Sequence, residues 1–449
     1  MLKTKFAGLA GLTLLSLLAA PRTQGQGLGN SPYSRVGFGD FTGNVGGVRQ
    51  QGMGGVGLAA PNTVNVNELN PAMLAYVTRT TYEAGFSALF RRLHTVSQSN
   101  RSGSASLSYL ALAVPLSKNW GAAAGLKPYT SVDYEANTVK TIATDPNKAS
   151  VLTQERGKGG LSEAYLSQGY RIGKNFSLGA TASYVFGSID LSTGTSVFTS
   201  ADLATDITKV VRLEHLHYSD FAFRGAAHYR GKINDKLNYN LAGVYSFQTD
   251  LSGTRSLTQR RETANGFEIE RFDEFVDRKG KAIVPALTQL GVSFDNNKSW
   301  SVNVDAAHQQ WSKYQPFTNS SATTTATLKN TVRIGVGGEY TPDASSVDNY
   351  FKRVSYRVGL TAAQMPYQPN GQTLYDRAVS WGFSFPLPTA TPLDATVLSL
   401  AFTYGQRGNL DSYTNTAEAR TVNNVKDDYL KMQLGVTLNN RWFIKRRIE

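Results

Sequence analysis

Cysteine is absent from the 449 residues, which excludes a disulfide framework, a thiolate metal site and a lipid-modified N-terminal cysteine. Histidine is scarce, and no HExxH pattern, P-loop, dinucleotide fingerprint or Gly-x-Ser-x-Gly elbow occurs in a fitting context. The best metal candidate is the pair His215 and His217, which has Glu214 and Asp220 nearby but lacks any known metal-site pattern. We therefore predict no enzyme, no catalytic residue, no cofactor and no bound metal.

Long apolar runs are also lacking. Beyond the N-terminus none approaches the roughly 18 to 20 residues that a membrane helix needs. The N-terminal run from Phe6 to Ala20 follows Lys3 and Lys5 and is too short to remain as a membrane span, which is typical of a secretory signal. We predict a signal peptide over 1–25, cleaved after Gly25, and hence an exported protein.

The composition that remains is rich in glycine and aromatic residues, with 42 Gly, 22 Tyr and 21 Phe and a mean hydropathy of -0.29. This is typical of an outer-membrane β-barrel, although a secreted soluble β-sandwich protein has a similar composition. The formal charge of +13 suits phosphate-bearing partners. Because export argues against nucleic acid, we expect outer-membrane lipid and lipopolysaccharide phosphates as partners, or scattered lysines and arginines that face solvent.

Alternation of apolar and polar residues dominates the chain from Thr81 onward. In the last such segment, Leu430, Met432 and Leu434 alternate with polar or small residues. Segments of about ten residues with this period are long enough to cross a membrane as tilted strands. We count about fourteen of them, beginning near Thr81, Ser104, Trp120, Leu161, Phe176, Tyr218, Leu237, Val284, Trp300, Leu328, Val354, Arg377, Ala395 and Asp428.

The links between these segments alternate in length, which a sandwich has no reason to maintain. Short polar turns such as Ser117 to Asn119 alternate with long hydrophilic links, which we place at Thr130 to Gly160, Ser188 to His217, Asp250 to Ile283 and Arg407 to Asp427. The predicted fold is all-β, a transmembrane antiparallel barrel over 81–443 followed by a basic periplasmic tail over 444–449. Aromatic residues at strand ends suit interfacial belts: Trp120, Tyr129, Phe176, Phe247, Phe294, Trp300, Trp311, Tyr340 and Trp442.

Residues 26–80 precede the first strand and contain the glycine-rich stretch from Gln51 to Tyr76. Glycine and Asn-Pro favour compact, non-repetitive backbone, so we predict a hatch inside the barrel lumen. Within this stretch, Met53 to Ala59 and Asn70-Pro71-Ala72-Met73-Leu74 resemble the N-terminal hatch of FadL-type outer-membrane transport proteins. The upstream run from Asn30 to Asp40 resembles the start of FadL-like proteins from Bacteroidetes-type bacteria.

The resemblance implies a transporter in the outer membrane for small hydrophobic molecules, such as long-chain fatty acids or aromatic hydrocarbons, gated by the hatch. Expected hatch or gate residues are Gly54, Gly55, Gly57, Asn70, Pro71, Ala72 and Met73. The alternative is a FadL-like barrel that carries no solute and binds a protein partner within a larger outer-membrane complex. Charged residues on the inward register form either a structural ion-pair network or a substrate contact: Arg224, Asp305, Arg333, Glu339, Arg357 and Lys431.

Overall fold

The computed structural model describes residues 30–35, 37–42, 46–142, 145, 149–198, 208–263, 265–318, 328–368, 371–388, 395–415 and 420–440. The predicted signal peptide over 1–25, the tail over 444–449 and Trp442 lie outside the described residues. The described chain is almost entirely β-strand. None of its helices is both long enough and apolar enough to cross a membrane.

The strands in chain order are β1 (Asp40–Phe41), β2 (Thr80–His94), β3 (Ser99–Pro115), β4 (Trp120–Pro128), β5 (Thr130–Thr141), β6 (Ser150–Ile172), β7 (Phe176–Phe198), β8 (Lys209–Asn234), β9 (Leu237–Ser246), β10 (Thr249–Glu262), β11 (Glu268–Val284), β12 (Leu287–Asp295), β13 (Trp300–Gln309), β14 (Gln315–Thr318), β15 (Thr331–Tyr340), β16 (Ser355–Gln364), β17 (Tyr375–Leu387), β18 (Ala395–Arg407), β19 (Ser412–Asn415), β20 (Arg420–Asn423) and β21 (Lys426–Asn440). One α-helical turn spans Val48–Gln51, and 3-10 turns span Pro32–Arg35, Pro71–Tyr76, Trp311–Lys313 and Tyr350–Arg353.

Fourteen of these strands close into an antiparallel barrel, which confirms the predicted fold. The order around the wall is β2, β3, β4, β6, β7, β8, β9, β12, β13, β15, β16, β17, β18 and β21. The barrel closes because β2 pairs with β3 on one side and with β21 on the other. Closure leaves the sheet without a first and a last strand, so the backbone groups of the wall pair with neighbouring strands except along β3 before Leu110.

Strand β12 shows the two faces of the wall. Its residues alternate strictly between buried and exposed, with Gly291 and Ser293 turned to the lumen and Leu290 and Phe294 turned outward. Leu290 is 60% exposed, and large apolar side chains are exposed in the same way on most other barrel strands. A soluble sandwich would bury that face between two sheets, whereas a barrel in a membrane turns it to lipid.

One end of the barrel, the short-link end, has tight turns at residues 116–119, 173–175, 235–236 and 296–299. The prediction of four long hydrophilic links at the other end, the long-link end, was wrong in its detail, because strands occupy much of them. For example, β7 continues to Phe198 and β8 begins at Lys209. Strand pairing beyond the membrane needs no apolar face, so the apolar alternation that marks the spans does not reveal these extensions.

Two further expectations are corrected by burial and pairing. Trp311 is buried and packs edge-on against Phe41 with ring centroids 5.1 Å apart, and Tyr129 also packs on Phe41, so neither belongs to a lipid-facing belt. Val284 ends β11, and the barrel strand that was expected there begins at Leu287. Pro285 lies between them, and it cannot donate a ladder hydrogen bond.

Candidate functional site in the barrel lumen

The described part of the N-terminal segment, residues 30–35, 37–42 and 46–77, packs against the inward side of the wall. Near the long-link end, Phe38 is buried against the rings of Tyr218 and Tyr314, with centroids 5.4 Å and 5.5 Å away. Further along, Met53 and Leu74 are fully buried. The segment therefore fills much of the lumen between the two ends of the barrel.

A glycine-rich turn follows the helical turn Val48–Gln51. Gly54 and Gly57 have φ angles of +78° and +115°, which side-chain-bearing residues rarely adopt. The turn points its backbone groups at the wall. Asp305 accepts hydrogen bonds from the N–H groups of Gly57 and Leu58 at 2.7 and 3.0 Å. On the other side of the turn, the Gly54 carbonyl accepts from Arg333 at 2.7 Å and from Thr361 at 2.8 Å.

The wall comes closest to this turn at glycines. A Cβ atom on Gly359 would lie 2.1 Å from the carbonyl carbon and oxygen of Met53, and one on Gly337 would lie 2.2 Å from the same oxygen. The Asn-Pro-Ala stretch meets a similar surface, where a Cβ on Gly179 would lie 2.2 Å from the backbone nitrogen of Ala72. Only glycine permits such an approach of two backbones. The wall is therefore shaped to fit this segment.

Asn70 organises the Asn-Pro-Ala turn and has no exposed surface. Its side-chain oxygen accepts a hydrogen bond from the Ala72 N–H at 2.9 Å, and its amide donates to the Leu58 carbonyl at 2.9 Å. Pro71 follows at the first position of the 3-10 turn Pro71–Tyr76, where its missing N–H costs nothing. The turn is therefore capped and tied back to the glycine-rich stretch by one side chain.

A buried ion-pair chain joins the segment to two strands. Both nitrogens Nε and Nη2 of Arg49 donate to Glu339 on β15 at 3.1 Å. Arg357 on β16 donates to the same carboxylate at 2.5 Å and to Ser384 at 2.6 Å. Arg49 and Arg357 are both almost completely buried. Buried charges of this kind persist only when paired, so removing one member leaves the others uncompensated.

A second charged contact lies across the lumen, on β4, β6 and β8. The Glu68 carboxylate accepts a hydrogen bond from Tyr165 at 3.1 Å and lies 3.8 Å from the Lys127 ammonium. Arg224 donates to the Glu68 carbonyl at 3.3 Å and lies 3.9 Å from Glu163. The segment is thus held from opposite sides of the barrel.

A third charged contact lies toward the long-link end. Asp40 accepts from Ser31 at 2.7 Å, from Arg407 at 3.1 Å and from Arg91 at 3.3 Å. Arg91 also donates to Asp427 at 2.5 Å. Burial alone would raise the pKa of the Asp40 carboxyl, but the two guanidinium groups and the Ser31 hydroxyl outweigh it and hold that pKa below its usual value.

A cavity of about 640 Å³ remains beside the segment. Most of its lining residues carry hydroxyl or charged side chains, among them Arg91, Lys127, Arg333, Asp376, Arg407 and Lys431, but its apolar surface, which includes Phe41, Leu89 and Leu107, has the larger area. Charged groups must be desolvated when an apolar molecule covers them. The charged groups therefore weaken the binding of a hydrocarbon here, while the apolar part of the lining favours it.

The wall beside this cavity is incomplete between β3 and β5. Strands β3 and β4 pair only from Leu110 opposite Leu126 to Pro115 opposite Gly121. Strand β4 ends at Pro128, and β5, which begins at Thr130, pairs with β6 and not with β3. A cleft of about 640 Å³ lies between the two diverging strands.

Comparison with known proteins identifies the family of this chain. The model of one family, BamG, matches residues 5–449. The chain belongs to the BamG family. No curated protein compared with it matches.

The fold of this BamG family chain is similar to that of several solved channels. A Pseudomonas aeruginosa FadL homologue has a TM-score of 0.58 at 14% identity, with 90% of this chain and 100% of that chain covered. The CymD monoaromatic hydrocarbon channel has a TM-score of 0.55 at 17% identity, covering 89% and 98%. The P. putida toluene transporter TodX has a TM-score of 0.55 at 15% identity, covering 90% and 99%. These similarities establish a FadL-type outer-membrane barrel fold.

The six lumen charges expected from the sequence lie on the inward face of this BamG family barrel, but they do not form one connected set. Glu339 and Arg357 form an ion pair. Arg224, Asp305 and Arg333 contact the N-terminal segment, as Glu339 does through Arg49. Lys431 lines the cavity, without a hydrogen-bond or ion-pair partner among the described residues.

Several contact residues were missed by sequence reasoning. They include Arg49, Glu68 and Asp40 of the segment and the wall glycines Gly337 and Gly359. The glycines had a detectable signal, because each occupies an inward position of an alternating strand where a larger polar residue is common. The charges of the segment had none, since a segment without regular structure shows no register from which to infer a face.

The two histidines of the candidate metal pair make local contacts. His215 Nδ1 lies 2.6 Å from an Asp190 carboxylate oxygen, and His217 Nδ1 lies 3.0 Å from the Ser188 hydroxyl. Within the described ranges no group of three or more histidine and carboxylate side chains is placed to hold a metal ion.

Proposed function

We propose that this BamG family member is an outer-membrane barrel that its own N-terminal segment keeps closed, and that it works as a non-conducting subunit of a larger outer-membrane protein assembly. The observation that carries the proposal is the buried ion-pair chain from Arg49 through Glu339 to Arg357. Opening the lumen requires that these charges separate in a largely dehydrated interior, at a cost of several kcal/mol.

Three further features support this function. The wall glycines match the backbone of the segment so closely that it has little freedom to shift in place. Charged side chains line part of the remaining cavity, and a hydrophobic solute that covers them must desolvate them. The family name, BamG, points to a link with an outer-membrane assembly.

Purification of the tagged full chain from its native outer membrane in mild detergent tests this function. We expect a protein partner to elute with the barrel in constant stoichiometry, and the purified barrel to give no ion conductance in planar bilayers. A barrel that elutes alone and conducts ions would contradict the proposal. The variant Gly359→Val, whose side chain has no room beside Met53, serves as the positive control for conductance.

The second candidate is a transporter for small hydrophobic molecules of the long-chain fatty acid or aromatic hydrocarbon type. The fold similarity to the CymD and TodX channels favours it, and the cleft between β3 and β5 opens the wall beside the lumen cavity. Gly54, Gly55, Gly57, Asn70, Pro71, Ala72 and Met73 then act as the gate. Deleting the gene in the source bacterium and measuring uptake of labelled fatty acid and toluene distinguishes the candidates, since only a transporter loses uptake.

The barrel fold supports an outer-membrane location, and we propose that the chain reaches it through a signal peptide over 1–25. Intact-mass measurement of the purified protein tests this step. The expected mass corresponds to a chain that begins at Gln26, whereas a mass that includes residues 1–25 contradicts cleavage.

A further inference from the structure

Strand β3 has a long unpaired edge. From Ser99 to Tyr109 it pairs with β2 on one side, and on its other side it has no strand partner among the described residues. Along an unpaired edge, alternate residues direct their N–H and C=O groups to the free side of the strand, where these groups have no strand partner. Such edges add a strand readily. The edge of β3 is therefore a potential site of strand addition.

The facing edge, on β5, is already covered by the N-terminal segment. Asp40 and Phe41 of β1 pair with Ser131 and Thr130 of β5. Further along, the Ser31 N–H donates to the Asp133 carbonyl at 2.7 Å. The β5 edge of the gap is thus occupied by extended backbone of the N-terminal segment, whereas the β3 edge is free.

The cleft between the two strands has room for a chain. Its volume of about 640 Å³ is bounded on the β3 side by residues 100–103 and on the other side by Asn30 and residues of β5 and β6. The β3 edge carries the small residues Ser102 and Gly103, which let another backbone approach to strand-pairing distance. The Ser102 hydroxyl is buried and has no hydrogen-bond partner among the described residues.

The charge around the cleft indicates the chemistry of the occupant. Glu135 pairs with Arg156 at 2.8 Å, which neutralises both. Arg101 and Lys158 also line the cleft and have no hydrogen-bond or ion-pair partner among the described residues. Asp133, opposite Lys158 in the β5–β6 register, adds one negative charge, so Arg101, Lys158 and Asp133 together leave the cleft with a net charge of +1, which a carboxylate complements.

We propose that the edge of β3 from Ser99 to Tyr109 receives an extended, acidic segment of a partner polypeptide, which adds a strand to the barrel wall. This inference rests on the proposed role as an assembly subunit and names the surface that the partner uses. A peptide fits better than lipopolysaccharide, because the repeated N–H and C=O groups of the edge match another backbone and not a phosphate. The carboxylates of the segment pair with Arg101 and Lys158.

Photo-crosslinking in the native outer membrane tests the site. Because the chain has no cysteine, labelling of this chain is confined to the cysteine that is introduced. Gly103→Cys and Ala105→Cys are each labelled with maleimide-benzophenone, irradiated, and the adducts mapped by mass spectrometry. The control is Ala88→Cys, which lies opposite Ala105 on β2, a strand paired on both sides. We expect both β3 variants, but not the control, to crosslink to one contiguous acidic segment of the co-purifying partner.

Hydrogen exchange on the purified complex and on the isolated barrel provides a second readout. Amides between Ser99 and Tyr109 that point into the cleft are expected to exchange at least about tenfold more slowly in the complex, because a new ladder protects them. The double variant Arg101→Glu with Lys158→Glu is expected to lose crosslinking to the partner, and Arg101→Lys with Lys158→Arg to retain it. Protection already present in the isolated barrel would overturn the proposal.

Each of the remaining outcomes also tests the docking site or the assembly function. Crosslinks to a second copy of this chain, to another part of the same chain, or to lipopolysaccharide alone would each overturn the proposal. A complex that co-purifies without crosslinks or protection at β3 removes this docking site and leaves the assembly function intact. Absence of any co-purifying partner contradicts both.

Discussion

Arg49 of the N-terminal segment and Glu339 of β15 form a two-pronged ion pair across the lumen, with both bonds 3.1 Å long, although 290 positions separate them in the chain. The pair lies where the segment turns into its glycine-rich stretch. Arg357 completes it from the neighbouring strand. The attachment of the segment to the wall is therefore concentrated in a few buried charges, and each can be removed individually.

Glu339→Gln should loosen the N-terminal segment while the strand pairing of the barrel wall stays intact. The change keeps the shape of the side chain but leaves Arg49 and Arg357 without a carboxylate, and breaking a buried pair from one side costs about 3 to 5 kcal/mol. We expect faster trypsin cleavage at Arg49 and a lower urea midpoint for loss of segment protection. Glu270→Gln, at the exposed pair with Arg261, is the control and should change neither. Unchanged cleavage at Arg49 would contradict the anchoring role.

Gly359→Ala should displace the glycine-rich turn. The added Cβ would lie 2.1 Å from the Met53 backbone, so the segment must move, and such overpacking costs about 1 to 3 kcal/mol or more. We expect a lower unfolding midpoint in detergent and intermittent conductance in planar bilayers. Gly225→Ala on β8 is the matched control, since a Cβ there meets nothing within 4 Å. Equal behaviour of the two variants would show that the close approach is unimportant.

The sequence reveals the wall of this protein far better than its interior. Strands such as β12 are predictable because membrane lipid on one side and a polar lumen on the other impose a period of two. The turn at Asn70-Pro71-Ala72 is predictable for a different reason, since proline and glycine restrict backbone locally. The partner of Glu339 is not predictable, because a register specifies the face of a strand and not which distant residue approaches that face.

Acid should release the part of the segment around Asp40. Its pKa in the folded protein is lower than the ordinary value of 3.8, so the ionised form is stabilised by folding. This contribution is present above about pH 4 and is lost as the pH falls through the folded pKa. We expect the urea midpoint of the wild type to fall below pH 4 more steeply than that of Asp40→Asn, with Asp348→Asn at an exposed link as the control. Parallel pH profiles for all three would exclude this linkage.

Asn70→Ala should uncouple the Asn-Pro-Ala turn from the glycine-rich stretch. The substitution removes the acceptor for the Ala72 N–H and the donor for the Leu58 carbonyl, and each buried group left unpaired costs about 1 to 3 kcal/mol. Asn70→Asp keeps the acceptor but loses the donor and buries a charge, so it should be at least as damaging. Hydrogen exchange at residues 58–75 is the measurement, and faster exchange is expected in both variants.

The control for this last change is Asn62→Ala. Asn62 caps its own turn by accepting from the N–H groups of Val64 and Asn65, but it lies where solvent can replace these bonds. Exchange should therefore rise only at Val64 and Asn65, while exchange at Leu58 and residues 70–75 should change little in this variant. If Asn62→Ala and Asn70→Ala accelerate exchange equally, the effect belongs to turn formation in general. If only Asn70→Ala accelerates exchange, the buried Asn70 amide couples the Asn-Pro-Ala turn to the glycine-rich stretch. The two parts of the segment then move together.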